Sequence, residues 1–303
     1  MNPITAFDPS STAFLNGLNQ IQARSQQAQL ELTTGLKINS VSDSPTQIPD
    51  LMETHQQLDQ VTQLNSNLNL VQNEVNTGET SVQSAVTLLE QAQTLTSEGE
   101  PSSTSATTRT QIAGQLGDIL TQMVALANTT SGGRYIFSGD SDQTAPYTID
   151  LTQTNPISPY AGTASTREIQ SPDGSTIPVA LTAQDIFDSS TPADNVFQSI
   201  NSARVALLNN DQTGIDSSLS SLQSSDTYLN TQLAFYGDTQ DSITSGLNYG
   251  STLVTQLQTQ LAGIQDADSA QAITQMTEAQ TEQEAALQSE AQLPRSSLFQ
   301  YLG

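Results

Sequence analysis

The residues of this chain that could carry chemistry are few and widely spaced. His55 is the only histidine, and there is no cysteine. A nucleophile with its base, or a zinc site, needs several such side chains brought together. One histidine near the start of a polar helical segment does not indicate either arrangement, and an exposed surface histidine is the interpretation we favour. We therefore expect no catalytic residue.

Two pairs of closely spaced carboxylates could hold a hard cation. Asp140 and Asp142 follow a glycine, as in part of a calcium-binding loop, and Asp266 and Asp268 form the second pair. The first run lacks the rest of such a loop, including its closing Glu. Asp is also common in turns and at helix N-caps, which is the interpretation we favour. We expect neither a metal nor a cofactor.

A pair of glycines, Gly132 and Gly133, could suggest a phosphate-binding loop. No Lys-Ser/Thr follows it, so a turn between a helix and the next segment explains the pair better. Arg134, Tyr135 and Phe137 come directly after this turn. We predict that these three residues anchor a junction between domains.

The composition limits the classes of partner. The 303 residues include 31 acidic and 7 basic side chains, which gives a formal net charge of −24. A basic surface for a phosphate backbone is missing, and an anionic membrane would repel the chain, so we expect neither nucleic acid nor membrane as a partner. Hydrophobic residues make up 35% and aromatic residues 5% of the chain. This favours long helices with narrow apolar seams over a large globular core.

Apolar residues recur with alternating four- and three-residue spacing, which is the pattern of helices that pack as coiled coils. The first series ends at Gly35, a helix stop signal. A helix is predicted over about 51–98, in which a longer series runs from Leu64 to Leu89 and is weakened only by Gly78. Further helices are predicted over about 104–130, 194–209, 215–264 and 266–293.

The middle of the chain is rich in Pro, Thr, Gly and Asp, and residues 167–179 indicate a β-hairpin around a Pro-Asp-Gly turn. The predicted fold class is mainly α: an elongated antiparallel helical bundle or coiled coil formed by the N- and C-terminal helices, with a small β-rich domain inserted in the middle. The predicted domains are an assembly domain (1–43 with 266–303), a helical rod domain (44–138 with 194–265) and the inserted β-rich domain (139–193).

The terminal helices carry seams that are too narrow to support them alone. Ordering about 30 residues costs ~1–2 kcal/mol per residue. Burying roughly 500 Å² of apolar surface contributes only about 12 kcal/mol. We therefore expect folding of the ends to be coupled to assembly with neighbouring chains.

Four segments of the sequence resemble parts of bacterial flagellins and flagellar hook-associated proteins. Residues 33–45 (TTGLKINSVSDSP) are similar to a loop in the N-terminal region of that family, and residues 266–302 are similar to its C-terminal helix. Residues 128–147 and 167–187 resemble middle segments of the members found at the hook–filament junction. The run Gly133–Gly139 (GRYIFSG) favours these junction members over flagellin itself.

The resemblance implies an axial structural protein of the bacterial flagellum that joins the hook to the filament and is not an enzyme. It also implies an extracellular location, reached through the flagellar type III export system without a cleaved signal peptide. The partners that it implies are copies of the chain itself, hook-associated protein 1, flagellin and a flagellar export chaperone. The terminal helices would carry the assembly contacts.

The apolar seams and the apolar C-terminal tip supply the residues that we predict to make assembly contacts. They are Phe14, Leu18, Ile21, Leu32, Leu64, Leu68, Val71, Val75, Leu257, Leu261, Ile264, Ile273, Met276, Leu298, Phe299, Tyr301 and Leu302.

Two alternatives stay open at this point. The first is flagellin, the major filament subunit. The second is a secreted acidic adhesin or glycosidase with a helical stalk. Low aromatic content, and the lack of any pattern for a convergent polar pocket, argue against the enzyme.

Overall fold

The computed structural model describes residues 9–292, and this part of the chain is mainly helical. Seven α-helices and four short strands follow one another within it. The helices are α1 (Pro9–Thr34), α2 (Ile48–Gly99), α3 (Ala106–Ala127), α4 (Ala183–Phe187), α5 (Val196–Leu208), α6 (Gln212–Gln265) and α7 (Ser269–Gln292). The strands are β1 (Thr130–Ser131), β2 (Arg134–Tyr135), β3 (Glu168–Gln170) and β4 (Thr176–Pro178), and they form the antiparallel pairs β1–β2 and β3–β4.

The chain divides into two compact units, to both of which α2 and α6 contribute. Unit 1 comprises residues 1–59 and 254–303, and unit 2 comprises residues 60–253. In unit 1 the N-terminal helix α1 packs against the C-terminal helix α7. The predicted mainly α fold, with paired terminal helices and a small amount of β-structure in the middle, is confirmed.

The loop between α1 and α2 begins where the sequence predicts. α1 ends at Thr34, and Gly35 has a left-handed φ of +73° while its N–H donates to the carbonyl of Glu31 at 2.8 Å. The Ser44–Gln47 run, which is typical of a helix start, forms a turn instead, and α2 begins at Ile48. Pro49 then lies in the first helical turn, where a missing N–H costs no intrahelical hydrogen bond.

Unit 2 contains one apolar core whose residues extend from Leu68 to Ile243. α2 and α6 lie antiparallel, because Leu68 faces Gly246 while Gly78 faces Tyr236. α3 packs against α5. The four-three series of the sequence points into this core. Its buried members are Leu68, Val75, Gly78, Val82, Ala85 and Leu89.

Gly78 is a required part of this core rather than a weak point of α2. A Cβ placed on Gly78 would lie 2.7 Å from Cε1 of Tyr236. The Tyr236 ring is buried and packs edge-on against Phe137 and Phe235, with ring centroids 6.4 and 5.3 Å away. Since the ring has aromatic neighbours on two sides, it cannot move aside without disturbing them.

We expect Gly78→Ala to destabilise unit 2 by about 1–3 kcal/mol, although alanine is the better helix former. The matched control is Gly114→Ala in α3, where the added Cβ meets no atom within 4 Å. That change should stabilise by about 0.5–1 kcal/mol. Thermal unfolding of the two variants, followed by circular dichroism, measures both effects, and equal shifts in Tm would contradict the expected role of Gly78.

The middle segment forms the predicted hairpin but contains less regular β-structure than the sequence suggests. β3 pairs with β4 through Glu168↔Pro178 and Gln170↔Thr176, around a turn that contains Gly174 at φ +89°. Most of the remaining backbone between residues 139 and 193 forms turns and loops, and residues 183–187 form α4. Prolines without an N–H donor limit the strand ladders that this segment can make.

Side chains of unit 2 tie the hairpin to the long helices. Arg167, just before β3, forms an ion pair with the largely buried Glu74 of α2. Thr239 of α6 donates from Oγ1 to the carbonyl of Pro178 at 3.3 Å. These contacts fix the hairpin on the surface formed by α2 and α6 within unit 2.

Candidate assembly site

The end of α1 and the start of α7 meet at a short backbone crossing in unit 1. Leu36 and Asp266 form an antiparallel β-bridge. The N–H of Lys37 donates to the carbonyl of Gln265, and the N–H of Ala267 donates to the carbonyl of Gly35, both at 2.8 Å. The crossing holds the two terminal helices together where they leave the loop.

The loop beyond the crossing is held by Asp43. Its Oδ2 accepts hydrogen bonds from the N–H groups of Asn39 at 2.9 Å and Ser40 at 2.7 Å, and its Oδ1 accepts one from Ser40 Oγ at 2.8 Å. The Ser40 side chain, followed by the two backbone donors, lowers the pKa of Asp43 below its usual value. These three hydrogen bonds close the turn between Asn39 and Asp43 and favour the ionised carboxylate.

Small residues form the centre of the α1–α7 interface. Ala28 of α1 and Ala272 and Ala279 of α7 are buried. At the edge, Arg24 of α1 forms an exposed ion pair with Glu282 of α7. Asp268 begins α7 as its N-cap, since its Oδ1 accepts from the N–H groups of Ala270 at 2.9 Å and Gln271 at 3.2 Å.

The larger apolar residues predicted for assembly are only partly covered by this pairing. Five are half-buried: Phe14, Leu18, Ile21, Leu32 and Met276. Ile273 of α7 is 53% exposed. The sequence prediction omitted three further large apolar side chains of the two helices that are about half exposed: Leu15, Leu30 and Leu287. These partly exposed apolar side chains are therefore available for contact with another chain.

The assembly residues predicted on α2 and α6 differ in burial. Three are buried within the chain: Leu68, Val75 and Leu257. Four are half-buried: Leu64, Val71, Leu261 and Ile264. The predicted tip residues lie outside the described part of the chain: Leu298, Phe299, Tyr301 and Leu302. Contacts of any of these residues with other chains stay a prediction.

The residues considered for chemistry are not brought together. His55 is exposed on α2. Asp142 accepts from Gln143 Nε2 at 3.1 Å and pairs with Arg134 at 3.7 Å. Between residues 9 and 292, no three His, Asp or Glu side chains are grouped so that they could hold a metal ion. Over the same range, no helix is both long enough and apolar enough to cross a membrane.

The three residues predicted at a domain junction have different environments in unit 2. Arg134 is exposed, and Tyr135 is half-buried with its N–H donating to the carbonyl of Asp142 at 2.8 Å. Phe137 is buried and packs edge-on against Phe187, with ring centroids 6.3 Å apart. Its carbonyl accepts from the N–H of Ala183, so this residue joins the β2 segment to the start of α4.

Arg109 is an important residue that the sequence analysis missed. It is buried, and its guanidinium donates to the carbonyls of Gly99 at 2.9 Å and Pro101 at 3.2 Å and to Gln212 Oε1 at 2.8 Å. A cation at the C-terminal end of α2 also complements the helix dipole. The available signal was its spacing, since Arg109 lies three residues before Ile112 on the apolar face of α3.

Residues 9–142 of the chain match the family model for the bacterial flagellin N-terminal helical region. The match includes α1, the loop at the crossing, α2, α3 and the β1–β2 pair. No curated protein sequence matches the chain.

Several solved structures have a similar fold. A putative flagellar hook-associated protein from Vibrio parahaemolyticus is 18% identical, with a TM-score of 0.66 over 74% of this chain and 100% of that chain. Flagellar hook associated protein-3 from Legionella pneumophila is 12% identical, with a TM-score of 0.51 over 75% of this chain and 99% of that chain. FlgL from Xanthomonas campestris is 19% identical in one crystal form, with a TM-score of 0.50 over 68% of this chain and 96% of that chain.

At these identities the structural likeness concerns the fold, and the sequence relationship comes from the family match over the N-terminal region. Residues 9–142 of the chain are therefore similar to the bacterial flagellin N-terminal helical region, and its fold is similar to that of known flagellar hook-associated proteins.

Proposed function

We propose that this chain is a structural subunit of the bacterial flagellum that joins the hook to the filament and assembles through α1 and α7. The observation that carries the proposal is the incomplete burial of the terminal helix pair. Ile273 and Leu287 of α7, and Leu15 and Leu30 of α1, are 46–55% exposed. Because about half of each side chain is already covered, complete burial of each by a neighbouring chain would stabilise the contact by about 0.7–1.5 kcal/mol.

The proposed partners are copies of the chain, hook-associated protein 1 on the hook side and flagellin on the filament side. The chain reaches this place through the flagellar export channel, with a cytoplasmic chaperone. Its role is structural and not enzymatic. The flagellin N-terminal match and the hook-associated fold support this assignment over an adhesin or glycosidase.

The proposal is tested in a flagellated host strain from which the gene for this chain is deleted. We expect the deletion strain to release unpolymerised flagellin into the medium and to form few filaments, and the wild-type gene to restore them. Mass spectrometry of sheared filaments should find the chain as a minor component. If the chain is instead their main component, it is flagellin and the proposal is wrong.

A matched pair of substitutions on α7 tests the proposed surface in the same strain. Ile273→Asp places a charge on the exposed apolar position, and we expect it to restore filaments poorly. Gln275→Asp adds the same charge to the same helix at an exposed polar position and should restore them fully. Equal restoration by the two variants would count against an assembly contact at Ile273.

A further inference from the structure

Lys37 is the only lysine of the chain, and it contacts the end of α6 at two points. Its backbone N–H donates to the carbonyl of Gln265 at 2.8 Å, and its Nζ donates to the carbonyl of Gly263 at 3.1 Å. Both acceptors lie in the last turn of α6, where carbonyls have no partner within the helix. The ammonium also lies at the end of the helix dipole that favours a cation.

The contact of Lys37 with α6 lies close to the end of α1 and to the start of α7. α1 ends three residues before Lys37, and α7 begins four residues after Gln265. Between them lies the crossing, where Leu36 pairs with Asp266. A shift of this short bridge by one residue would move α1 along α7, because α1 ends two residues before Leu36 and α7 begins three residues after Asp266.

The α1–α7 interface is poorly suited to choosing its own register. Its buried centre consists of Ala28, Ala272 and Ala279. Because an alanine side chain is a single methyl group, these residues bury little area and interlock weakly with the facing helix. The Arg24–Glu282 ion pair is 56% and 46% exposed at its two side chains. Exposed pairs of this kind contribute little to stability. The larger apolar residues of the pair, among them Leu18 and Met276, are only half-buried. Contacts outside the interface therefore add to the choice of register.

We propose that Lys37 is a positioning residue that sets the register of α1 against α7, and thereby the apolar surface that this helix pair presents. The register is a property of the single chain and can be measured without assembly. The consequence for docking rests on the proposed function.

Disulfide trapping in the full chain measures the register directly, because the chain contains no cysteine. Leu36 and Asp266 pair directly at the crossing, so Leu36→Cys with Asp266→Cys reports the observed register. Leu36→Cys with Asp268→Cys reports a register displaced by two residues. With Lys37 present, we expect the first pair to oxidise much faster than the second under dilute diamide.

Adding Lys37→Met to both cysteine pairs should reduce this preference about tenfold, the scale expected for a lost hydrogen bond to a charged group. Lys37→Gln serves as a second variant, and Lys37→Arg should keep the preference because it retains a cationic donor. Arg24→Gln is the matched control. It removes the cation of the Arg24–Glu282 ion pair and leaves the contact between Lys37 and α6 in place. The proposal is overturned if Lys37→Met keeps the full preference, or if Arg24→Gln loses it equally.

Analytical ultracentrifugation of the cysteine-free chains tests the consequence for docking. We expect self-association of Lys37→Met to be about tenfold weaker than that of the wild type. Unchanged self-association, together with an altered register, would overturn the link to assembly. If the wild type does not self-associate at all, the proposed function is in doubt, while the disulfide result still decides the role of Lys37.

Discussion

Removing residues 269–303 is expected to abolish self-association while unit 2 keeps a cooperative unfolding transition. The deletion removes α7, and with it Ile273, Leu287 and the partner surface that covers Ala28 of α1. The residues of the unit 2 core all lie between Leu68 and Ile243, so the deletion leaves that core intact. Analytical ultracentrifugation measures the first effect, and thermal unfolding followed by near-ultraviolet circular dichroism measures the second.

The near-ultraviolet signal suits this experiment because a cluster of aromatic rings lies in the unit 2 core. Tyr147 packs against Phe197 and Phe137 packs against Tyr236, with ring centroids 5.1 and 6.4 Å apart. A control chain keeps α7 but carries Gln280→Ala and Gln288→Ala at exposed positions. It should associate like the wild type. Loss of the aromatic transition in the truncated chain, or persistent self-association, would show that the two units do not separate as expected.

Leu68→Asp is expected to destabilise unit 2 by at least about 4 kcal/mol. Truncating a buried leucine to alanine already costs about 2–5 kcal/mol, and a carboxylate without a partner adds a desolvation cost. Leu68 is fully buried and faces Gly246 across the α2–α6 contact, so water has no access to the new charge. Since a domain has a total stability of about 5–15 kcal/mol, the variant should lose most of it.

The control for this substitution lies two residues away on the same helix. Leu70 is 72% exposed, so Leu70→Asp should change the stability by no more than about 0.5 kcal/mol. The expected difference in Tm between the two variants is about 10 °C or more. Similar Tm values for the two would mean that Leu68 does not lie in the core.

Local pattern was sufficient to predict the helices and the hairpin. The spacing of apolar residues indicated α2, α3, α5, α6 and α7 to within a few residues, because i, i+3 and i+4 neighbours share a helix face whatever the rest of the chain does. Gly35 ended α1 at the expected place for a similar local reason, since its backbone takes a left-handed conformation. The expectation that the chain neither binds nucleic acid nor catalyses a reaction was likewise drawn without any knowledge of the tertiary structure, and it stays a prediction.

The same local pattern could not rank positions within a seam or find partners distant in sequence. Leu64 and Ala85 occupy the same heptad position, yet Leu64 is half-buried and Ala85 is fully buried. Gly78 looked like a defect in that series, whereas the structure shows that its missing side chain makes room for Tyr236. Neither result follows from spacing. Each depends on which helix packs against α2 and on which of its residues lie opposite a given position.

The amino-acid sequence by itself therefore determined that this is an acidic chain of long helices with narrow apolar seams, whose N- and C-terminal helices belong together. Only the tertiary structure showed which polar side chains bind to a helix that is distant in sequence. Arg109 reaches Gln212 across 103 positions of sequence, and Lys37 reaches Gly263 across 226. Periodicity reports contacts along one helix, whereas capping of one helix end by a distant side chain exists only after the chain has brought the two together.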